Sequence, residues 1–219
     1  MADRELVDYY RARAAEYEQA YYRHIPERRR EIDDQAENLR ELVRGKDILD
    51  LACGTGYWTQ RMARAARFIA AADISTEMLR EARMKEYDAP TEFVMADLYS
   101  LPFRAASFDV VTLGFWFSHQ PKQEYDLFFR QLAQPVKDGG LIWMIDNNPP
   151  AEGSRMDSVK TDVYGNNYKR RHLQSGEEYI ILKNYFSEDQ LRGIFAPHFT
   201  IRRLVYKMYY WSVLLSAVS

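Results

Sequence analysis

A short apolar segment that runs into a glycine turn constrains this chain more than any other feature. Residues 47–56 read Asp-Ile-Leu-Asp-Leu-Ala-Cys-Gly-Thr-Gly, an apolar strand with Asp50 near its end, followed by Gly54 and Gly56. Glycines let the backbone approach a ligand closely, and the amide N–H groups at the start of the next helix point outward. A strand, a turn of this kind and a helix form a ligand pocket at the carboxyl edge of a parallel sheet. The segment therefore predicts an α/β fold with a binding site at this turn.

Strand and helix patterns alternate over most of the chain. Continuous apolar strands that alternate with helices are typical of a parallel sheet covered on both faces. Two helices, 4–23 and 27–44, precede the first strand, and a strand near 179–183, a helix at 187–195 and a final antiparallel strand at 200–210 end the series. The intervening strands are predicted at 48–52, 68–74, 91–96, 108–115 and 141–145, and the helices between them at 57–67, 76–87 and 122–134.

Acids follow three successive strands. Asp73 ends the second strand, and Asp97 follows the third. In nucleotide-binding folds an acid at the tip of the second strand accepts hydrogen bonds from ribose hydroxyls. A dinucleotide fingerprint needs Gly or Ala where Thr59 stands, so a nicotinamide cofactor is disfavoured. The acid ahead of the turn, Asp50, favours a ligand that carries positive charge.

At residues 50–56 the chain resembles the class I S-adenosyl-L-methionine (SAM)-dependent methyltransferases, and in particular their small-molecule, methyltransferase type 11-like members. Their first motif is acid-x-Gly-x-Gly-x-Gly, and here Ala52 stands at the first glycine position. The resemblance covers about residues 47–144 by motif and the remainder by element order. It implies a Rossmann-like, seven-stranded, mostly parallel sheet with helices on both faces and an antiparallel last strand.

The resemblance also implies the cofactor and the domain plan. One methyltransferase domain is expected over 1–219, with 1–45 as an N-terminal helical cap and 147–176 as an inserted lid or substrate segment. The cofactor is expected to be SAM. The residues expected to bind it are Tyr17, Asp50, Ala52, Gly54, Gly56, Trp58, Asp73, Ile74, Met78, Asp97 and Leu98.

Methyl transfer from a sulfonium is an in-line displacement, so the protein mainly holds the acceptor roughly 3 Å from the methyl carbon. The expected acceptor is an oxygen or nitrogen of a small organic molecule, placed over the tip of the fourth strand. His119 is the candidate general base because histidine titrates near neutrality, and a role as a wall residue is the alternative. Tyr10 is the second catalytic candidate. The candidate substrate-binding residues are Tyr9, Arg13, Trp116 and Tyr210.

Several weaker patterns leave alternatives open. The tyrosines of the first helix either close over the cofactor or only pack the helix. The run 169–172, Lys-Arg-Arg-His, could clamp an anionic substrate, but a solvated charge run is favoured. The C-terminal run 209–215 is either a core strand or a partner surface. Asp146-Asn147 resembles a metal-binding pair, but no acid follows the fourth strand, so no metal is expected.

Composition excludes several classes of function. Lysine and arginine number 30 against 32 acids, so no basic field favours nucleic acid as a partner. No apolar run approaches the ~20 residues of a membrane-spanning helix and no signal core is present, so a cytoplasmic protein without a membrane partner is expected. The single cysteine, Cys53, excludes intramolecular disulfides and is expected to be a buried filler. A protein or RNA methyltransferase and a non-catalytic SAM-binding module remain as alternatives, and the oligomeric state is open.

Overall fold

The centre of the molecule is a seven-stranded sheet. The computed structural model describes residues 4–20, 25–149 and 158–218. The ten described strands are β1 (Asp47–Leu51), β2 (Phe68–Asp73), β3 (Thr91–Met95), β4 (Phe108–Gly114), β5 (Val136–Asn147), β6 (Ser158–Thr161), β7 (Asn167–His172), β8 (Glu178–Leu182), β9 (Phe199–Tyr206) and β10 (Tyr210–Ala217). The central sheet has the order β3-β2-β1-β4-β5-β10-β9.

The sheet confirms the Rossmann-like fold expected from the sequence. β1, β2, β3, β4 and β5 pair in parallel, whereas β10 lies between β5 and β9 and is antiparallel to both. β10 is therefore the one reversed strand of this sheet. The strand order reverses between β1 and β4, and ligands of open α/β sheets bind at the carboxyl ends of the strands at such a point.

Helices cover both faces of the central sheet. The six described α-helices are α1 (Arg4–Arg13), α2 (Pro26–Leu42), α3 (Tyr57–Ala63), α4 (Thr76–Arg83), α5 (Tyr125–Ala133) and α6 (Glu188–Phe195). Phe128 of α5 and Phe195 of α6 pack with one side of the strands, while Leu39 of α2 and Met62 of α3 pack with the other. The Ser187 and Gln190 side chains form a capping box at the start of α6.

Three predicted segments differ from the structure. The first helix is not continuous to residue 23: α1 ends at Arg13 and a 3-10 helix follows over Ala14–Ala20, with residues 21–24 outside the described part. The stretch 147–176 contains the strands β6 and β7, which form a separate antiparallel sheet with β8. The sequence did not predict β7, because its charged residues hide the alternation of apolar and polar side chains that is typical of a strand. In place of one last strand the structure has two, β9 and β10, because the chain turns at residues 207–209. The C-terminal run 209–215 lies mostly in β10, whose side chains are largely buried, so it is a core strand.

The small sheet (β6, β7 and β8) packs against the N-terminal helix. Leu6 and Tyr9 of α1 form a buried cluster with Leu173 and Ile181, and the Glu5 carboxylate accepts a hydrogen bond from the Ile180 N–H at 2.7 Å. We call α1 and the 3-10 helix Ala14–Ala20 the N-terminal cap. No helix within the described residues is long and apolar enough to cross a membrane.

Candidate active site

A pocket opens at the carboxyl ends of β1, β2, β3 and β4, beneath the N-terminal cap. Eleven of the residues predicted from the sequence lie in its wall. The predicted residues that the structure brings together are Tyr10, Tyr17, Ala52, Gly54, Asp73, Ile74, Met78, Asp97, Leu98, Trp116 and His119.

The glycine turn presents its backbone to one end of this pocket. Ala52 and Gly54 both have positive φ angles, 49° and 57°. The Gly54 N–H donates to one Asp73 carboxylate oxygen at 2.8 Å, and the Ser75 N–H donates to the other at 2.9 Å. Burial raises the pKa of Asp73, and these backbone hydrogen bonds oppose that rise. The carboxylate is thus fixed at the tip of β2, where its remaining lone pairs can accept from a ligand.

Three residues predicted to touch the cofactor lie beneath the pocket and outside its wall. Asp50 is 1% exposed and accepts hydrogen bonds from the Thr59 hydroxyl at 2.6 Å and the Thr112 hydroxyl at 2.8 Å. Burial raises the pKa of Asp50 to about 6, and the two threonine hydrogen bonds act against that rise. Any influence of Asp50 on a ligand therefore acts through the turn and through space.

Gly56 and Trp58 support the turn from below. Gly56 precedes α3 with φ 79°, and a Cβ built on it would lie 2.4 Å from the Tyr87 hydroxyl oxygen. The Trp58 indole packs under Gly114, where a Cβ would lie 2.4 Å from Trp58 Cδ1. Both positions serve close packing of α3 against its neighbours.

The tip of β4 carries a strained aromatic residue that is not among the site residues predicted from the sequence. Phe115 has φ 59° and lines the pocket, and its N–H donates to the Ile145 carbonyl at 2.8 Å. A bulky residue in this conformation costs about 1–3 kcal/mol and is concentrated at functional sites. The signal available in the sequence was a bulky ring directly after Gly114 at a strand end.

His119 and Tyr10 form a hydrogen-bonded pair at the other end of the pocket. The His119 Nδ1 lies 2.6 Å from the Leu182 carbonyl oxygen, and Nε2 lies 2.7 Å from the Tyr10 hydroxyl. A carbonyl can only accept, so Nδ1 carries the proton and Nε2 accepts from Tyr10. Burial and the charge of Lys183 lower the pKa of His119 to about 3, while burial raises that of Tyr10. The imidazole is therefore neutral, with its lone pair directed at the tyrosine.

A buried ion pair holds the segment that carries His119. The Asp146 carboxylate accepts from the Ser118 N–H at 2.8 Å and lies 3.2 Å from Lys183 Nζ, and Lys183 also donates to the Ser118 hydroxyl. Burial alone would raise the pKa of Asp146, but the charge of Lys183 and the hydrogen bond from the Ser118 N–H bring it below its usual value. Asp146 thus remains ionised and fixes the turn before His119. The sequence pattern at Asp146-Asn147 indicates only a metal-binding pair and gives no sign of this ion pair.

The three other substrate-binding candidates do not line the pocket. The Tyr9 hydroxyl accepts from Arg13 at 2.7 Å, and the Arg13 guanidinium carbon lies 5.3 Å from the Tyr17 ring centre. The Tyr210 hydroxyl accepts from Arg28 at 2.5 Å, and its ring packs against Phe115. These residues stand behind the wall, so a direct substrate contact remains a prediction for each of them.

The pocket wall also holds residues that are not among the candidates predicted from the sequence. Most of them flank a predicted acid or strand tip, and this adjacency is the sequence signal that could have identified them. No sequence signal identifies Leu6 and Val7, because their position depends on how α1 docks. The further lining residues are Leu6, Val7, Leu51, Ala72, Ser75, Ala96, Tyr99, Leu101, Gly114, Phe115, Pro121 and Glu124.

Comparison with known proteins agrees with this geometry. A family model described as a methyltransferase domain matches residues 48–140. The chain is 33% identical over 121 residues to the demethylmenaquinone methyltransferase of Bacillus licheniformis, which covers 53% of the chain and 51% of that protein. The chain thus spans about half the length of the curated relatives it matches.

Solved structures match over nearly the whole chain. The structure of DhpI in complex with SAH has a TM-score of 0.77 and 28% identity, and covers 97% of this chain and 95% of that one. A complex of DhpI with SAM and HEP has a TM-score of 0.76 and 26% identity, and covers 99% and 100%. The glycine turn, the strand-tip acids and the reversed strand β10 thus accompany a similarity to SAM-dependent methyltransferases, in sequence over residues 48–140 and in fold over nearly the whole chain.

Proposed function

We propose that this protein transfers the methyl group of SAM to an oxygen or nitrogen of a small organic molecule. The observation that carries the proposal is the Asp73 carboxylate, which Gly54 and Ser75 fix by backbone hydrogen bonds at one end of a pocket whose other end is the Tyr10–His119 pair. One end supplies a ribose acceptor and a close backbone approach, and the other supplies polar groups for an acceptor molecule.

The residues of the pocket fit the expected cofactor. Asp73 would accept from the ribose hydroxyls, and Leu98 beside Asp97 would hold the adenine. The turn at Ala52 and Gly54 would hold the amino-acid tail, with Tyr17 above it; a Cβ on Gly54 would lie 4.0 Å from the Tyr17 ring. When bound, SAM supplies a methyl group already activated by a positively charged sulfur.

The chain's own task would be to hold and shield the acceptor. Phe115 and Trp116 line the pocket at the tip of β4, and Tyr10 lines it from the N-terminal cap. Aromatic faces attract a sulfonium cation, and an apolar enclosure excludes water from the displacement. We assign most of the protein's contribution to catalysis to the alignment of the acceptor between these rings.

Tyr10 and His119 would receive a proton where the acceptor carries one. Tyr10 donates to His119 Nε2, so its oxygen can accept a hydrogen bond from an acceptor hydroxyl or amine. As the acceptor loses its proton, Tyr10 would pass its own proton to Nε2, and the ionised Asp146 would stabilise the imidazolium that forms. The neutral imidazole and its fixed tautomer support this assignment.

Two features favour a small acceptor over a macromolecule. Leu6, Val7 and Tyr10 of α1 form part of the pocket wall, so the N-terminal cap limits access from that side. The net charge of −2 offers no overall attraction for RNA. A relative is named for action on demethylmenaquinone and another is solved with HEP, and both names are consistent with a small organic acceptor.

Binding and turnover together test the proposal. Calorimetry should show that SAM and SAH bind to the protein and that NAD does not. Asp73→Ala should weaken SAM binding by about 1–3 kcal/mol through loss of charge-assisted hydrogen bonds, whereas Asp138→Ala, at an exposed site on β5, should not change it. A mixture of small hydroxylated and amino compounds should yield SAH. Binding without SAH formation would leave only a SAM-binding module, and equal affinities of the two variants would remove the role of Asp73.

A further inference from the structure

The charged run 169–172 is divided between two faces of the small sheet. Along a strand successive side chains point to opposite faces, so Lys169 and Arg171 share one face and Arg170 and His172 share the other. Arg170 pairs with Glu178 at 2.9 Å, on the outer face. Lys169 and Arg171 lie opposite Ile181 and Tyr179 in the register of β7 and β8.

The face with Lys169 and Arg171 is the one that packs toward α1 and toward the segment that carries His119. Its neighbours Ile181 and Tyr179 contact α1: Ile181 belongs to the buried cluster of Leu6 and Tyr9, and the Tyr179 and Tyr9 ring centres are 5.6 Å apart. We call this side, with Lys169, Arg171 and the adjoining Lys183, the inner face. Lys169 is 4% exposed and Lys183 is 6% exposed, whereas Arg171 is half-buried.

Tyr185 draws the cations of the inner face together. Lys169 Nζ lies 3.3 Å from the Tyr185 hydroxyl and 4.5 Å from its ring centre, and Lys183 Nζ lies 5.9 Å from the same ring. Arg171 forms a hydrogen bond to the Tyr185 side chain as well. Two nearly buried ammonium groups and one guanidinium group thus surround one ring. Burial of charged side chains is costly and is rare outside pairs and functional sites.

The positive charge of this group reaches the catalytic candidates. Lys183 and Arg171 both disfavour the protonated form of His119, and Arg171 and Arg13 both disfavour the protonated form of Lys183. Asp146 supplies a negative charge, but it already pairs with Lys183 and accepts from the Ser118 N–H. A ligand that enters beside His119 therefore meets a surface whose potential favours negative charge.

We propose that the methyl acceptor carries an oxyanion, a phosphate-like or carboxylate group, that binds to the inner face beside His119. Arg171 would hold it in the planar, two-pronged manner that guanidinium groups offer to oxyanions, and Lys169 and Lys183 would add charge from behind. This inference rests on the proposed function, because it names the chemical class of that function's acceptor. It also explains why a charged run lies against the active site and is not solvated on both faces.

Inorganic phosphate is a suitable probe, with the full chain saturated by SAH so that the cofactor end is filled. At constant ionic strength, calorimetry should detect phosphate binding to the wild type. Arg171→Gln should weaken it at least about tenfold, the cost of one charge-assisted hydrogen bond. Arg170→Gln, one residue away on the outer face, should bind phosphate as the wild type does.

A second pair of variants separates binding from structure. Lys169→Met should also weaken phosphate binding about tenfold or more, whereas Lys160→Met, on the exposed part of β6, should not. SAH affinity should remain unchanged in all four variants. Absence of phosphate binding to the SAH-saturated wild type, or equal binding by Arg171→Gln and Arg170→Gln, would overturn the anionic acceptor and leave the proposed function standing. Failure of SAH itself to bind would instead count against the proposed function.

Discussion

Ala52 occupies a backbone conformation that glycine normally takes. Its φ of 49° lies in the left-handed region, as does the 57° of Gly54 two residues later. Left-handed geometry costs an ordinary residue about 1–2 kcal/mol, and a glycine loses about 0.4–1 kcal/mol more entropy on folding. Ala52→Gly should therefore raise the free energy of unfolding by about 0.5–1 kcal/mol, measured by urea denaturation.

Gly54→Ala is the matched control for that change. Its Cβ would have room, since the nearest atom is 4.0 Å away, so only the backbone strain is added. A loss of about 0.5–1 kcal/mol is expected there. If both substitutions raised the free energy of unfolding, or both lowered it, backbone strain would not govern the stability of this turn.

Gly114 is required by close packing. A Cβ at this position would lie 2.4 Å from Trp58 Cδ1 and 2.6 Å from Nε1, and a buried indole has little room to move. Gly114→Ala should lower the free energy of unfolding by about 1–3 kcal/mol through overpacking. Gly193→Ala in α6, where nothing lies within 4 Å, should instead add up to about 1 kcal/mol of helix propensity. Thermal unfolding of both variants would compare these opposite signs, and an unchanged Gly114→Ala protein would contradict the packing argument.

At the scale of single residues, the sequence predicted chemistry better than location. Asp73 and Asp97 could be placed because a residue that ends a parallel strand must lie at the carboxyl edge. Asp50 also ends a strand, but its side chain turns toward Thr59 and Thr112, and no local pattern reports that choice. The strain at Phe115 depends on how β4 leaves the sheet, so its sequence neighbours could not reveal it.

At the scale of elements, the N-terminal cap is fastened to the glycine turn by one carboxylate. Glu18 accepts from the Thr55 hydroxyl at 2.6 Å and pairs with Lys85 just beyond α4. Glu18→Gln removes the charge from both contacts, so the cap should close less firmly over SAM. We expect the Kd of SAM to rise about tenfold, as for the loss of one charge-assisted hydrogen bond, in calorimetry.

Glu16→Gln, in the same 3-10 helix, provides a control for this effect. It removes an equal charge two residues away, and SAM affinity should stay within about twofold of the wild type, which is the range of a surface charge. If both variants bind SAM equally, the cap is not coupled to the cofactor end of the pocket.

Elements were predictable where burial governs their pattern. The apolar runs of β1, β2 and β4 are buried on both faces and could be recognised from composition alone. β7 has the sequence Asn-Tyr-Lys-Arg-Arg-His, and its inner face buries a lysine, so hydrophobic alternation is absent. A strand whose buried positions are charged for function is hidden from a search for apolar periodicity.

At the scale of the whole molecule, the strand topology could be predicted from local sequence patterns. The docking of the N-terminal cap over the pocket could not. Five parallel strands with short connections leave few possible orders, and the crevice between β1 and β4 follows from the reversal of that order. The contacts of α1 with β8 join residues far apart in sequence, as in the hydrogen bond from Ile180 to Glu5. Such docking depends on shape and charge that only the folded chain brings together.

The free energy of unfolding should depend on pH because His119 is buried and its pKa is lowered in the folded protein. The unfolded chain protonates His119 near 6.5, but the folded chain resists protonation until about 3. Between these values the unfolded state binds more protons, so this group makes the free energy of unfolding fall as the pH is lowered, by up to about 1.4 kcal/mol per pH unit. Asp50 acts in the opposite direction between 3.8 and about 6, because its folded form holds a proton that the unfolded form has released.

His119→Asn isolates the histidine contribution, because asparagine can still donate to the Leu182 carbonyl but does not titrate. The variant should be less stable than the wild type at pH 7, and urea denaturation at a series of pH values should show the gap narrowing steadily toward pH 4. Tyr10→Phe is the comparison: it removes the hydroxyl that Nε2 accepts from and leaves the imidazole buried, so its stability should run parallel to the wild type over this range. Parallel curves for His119→Asn and the wild type would mean that the folded protein protonates His119 as readily as the unfolded chain does, and the lowered pKa assigned to the buried imidazole would then be wrong.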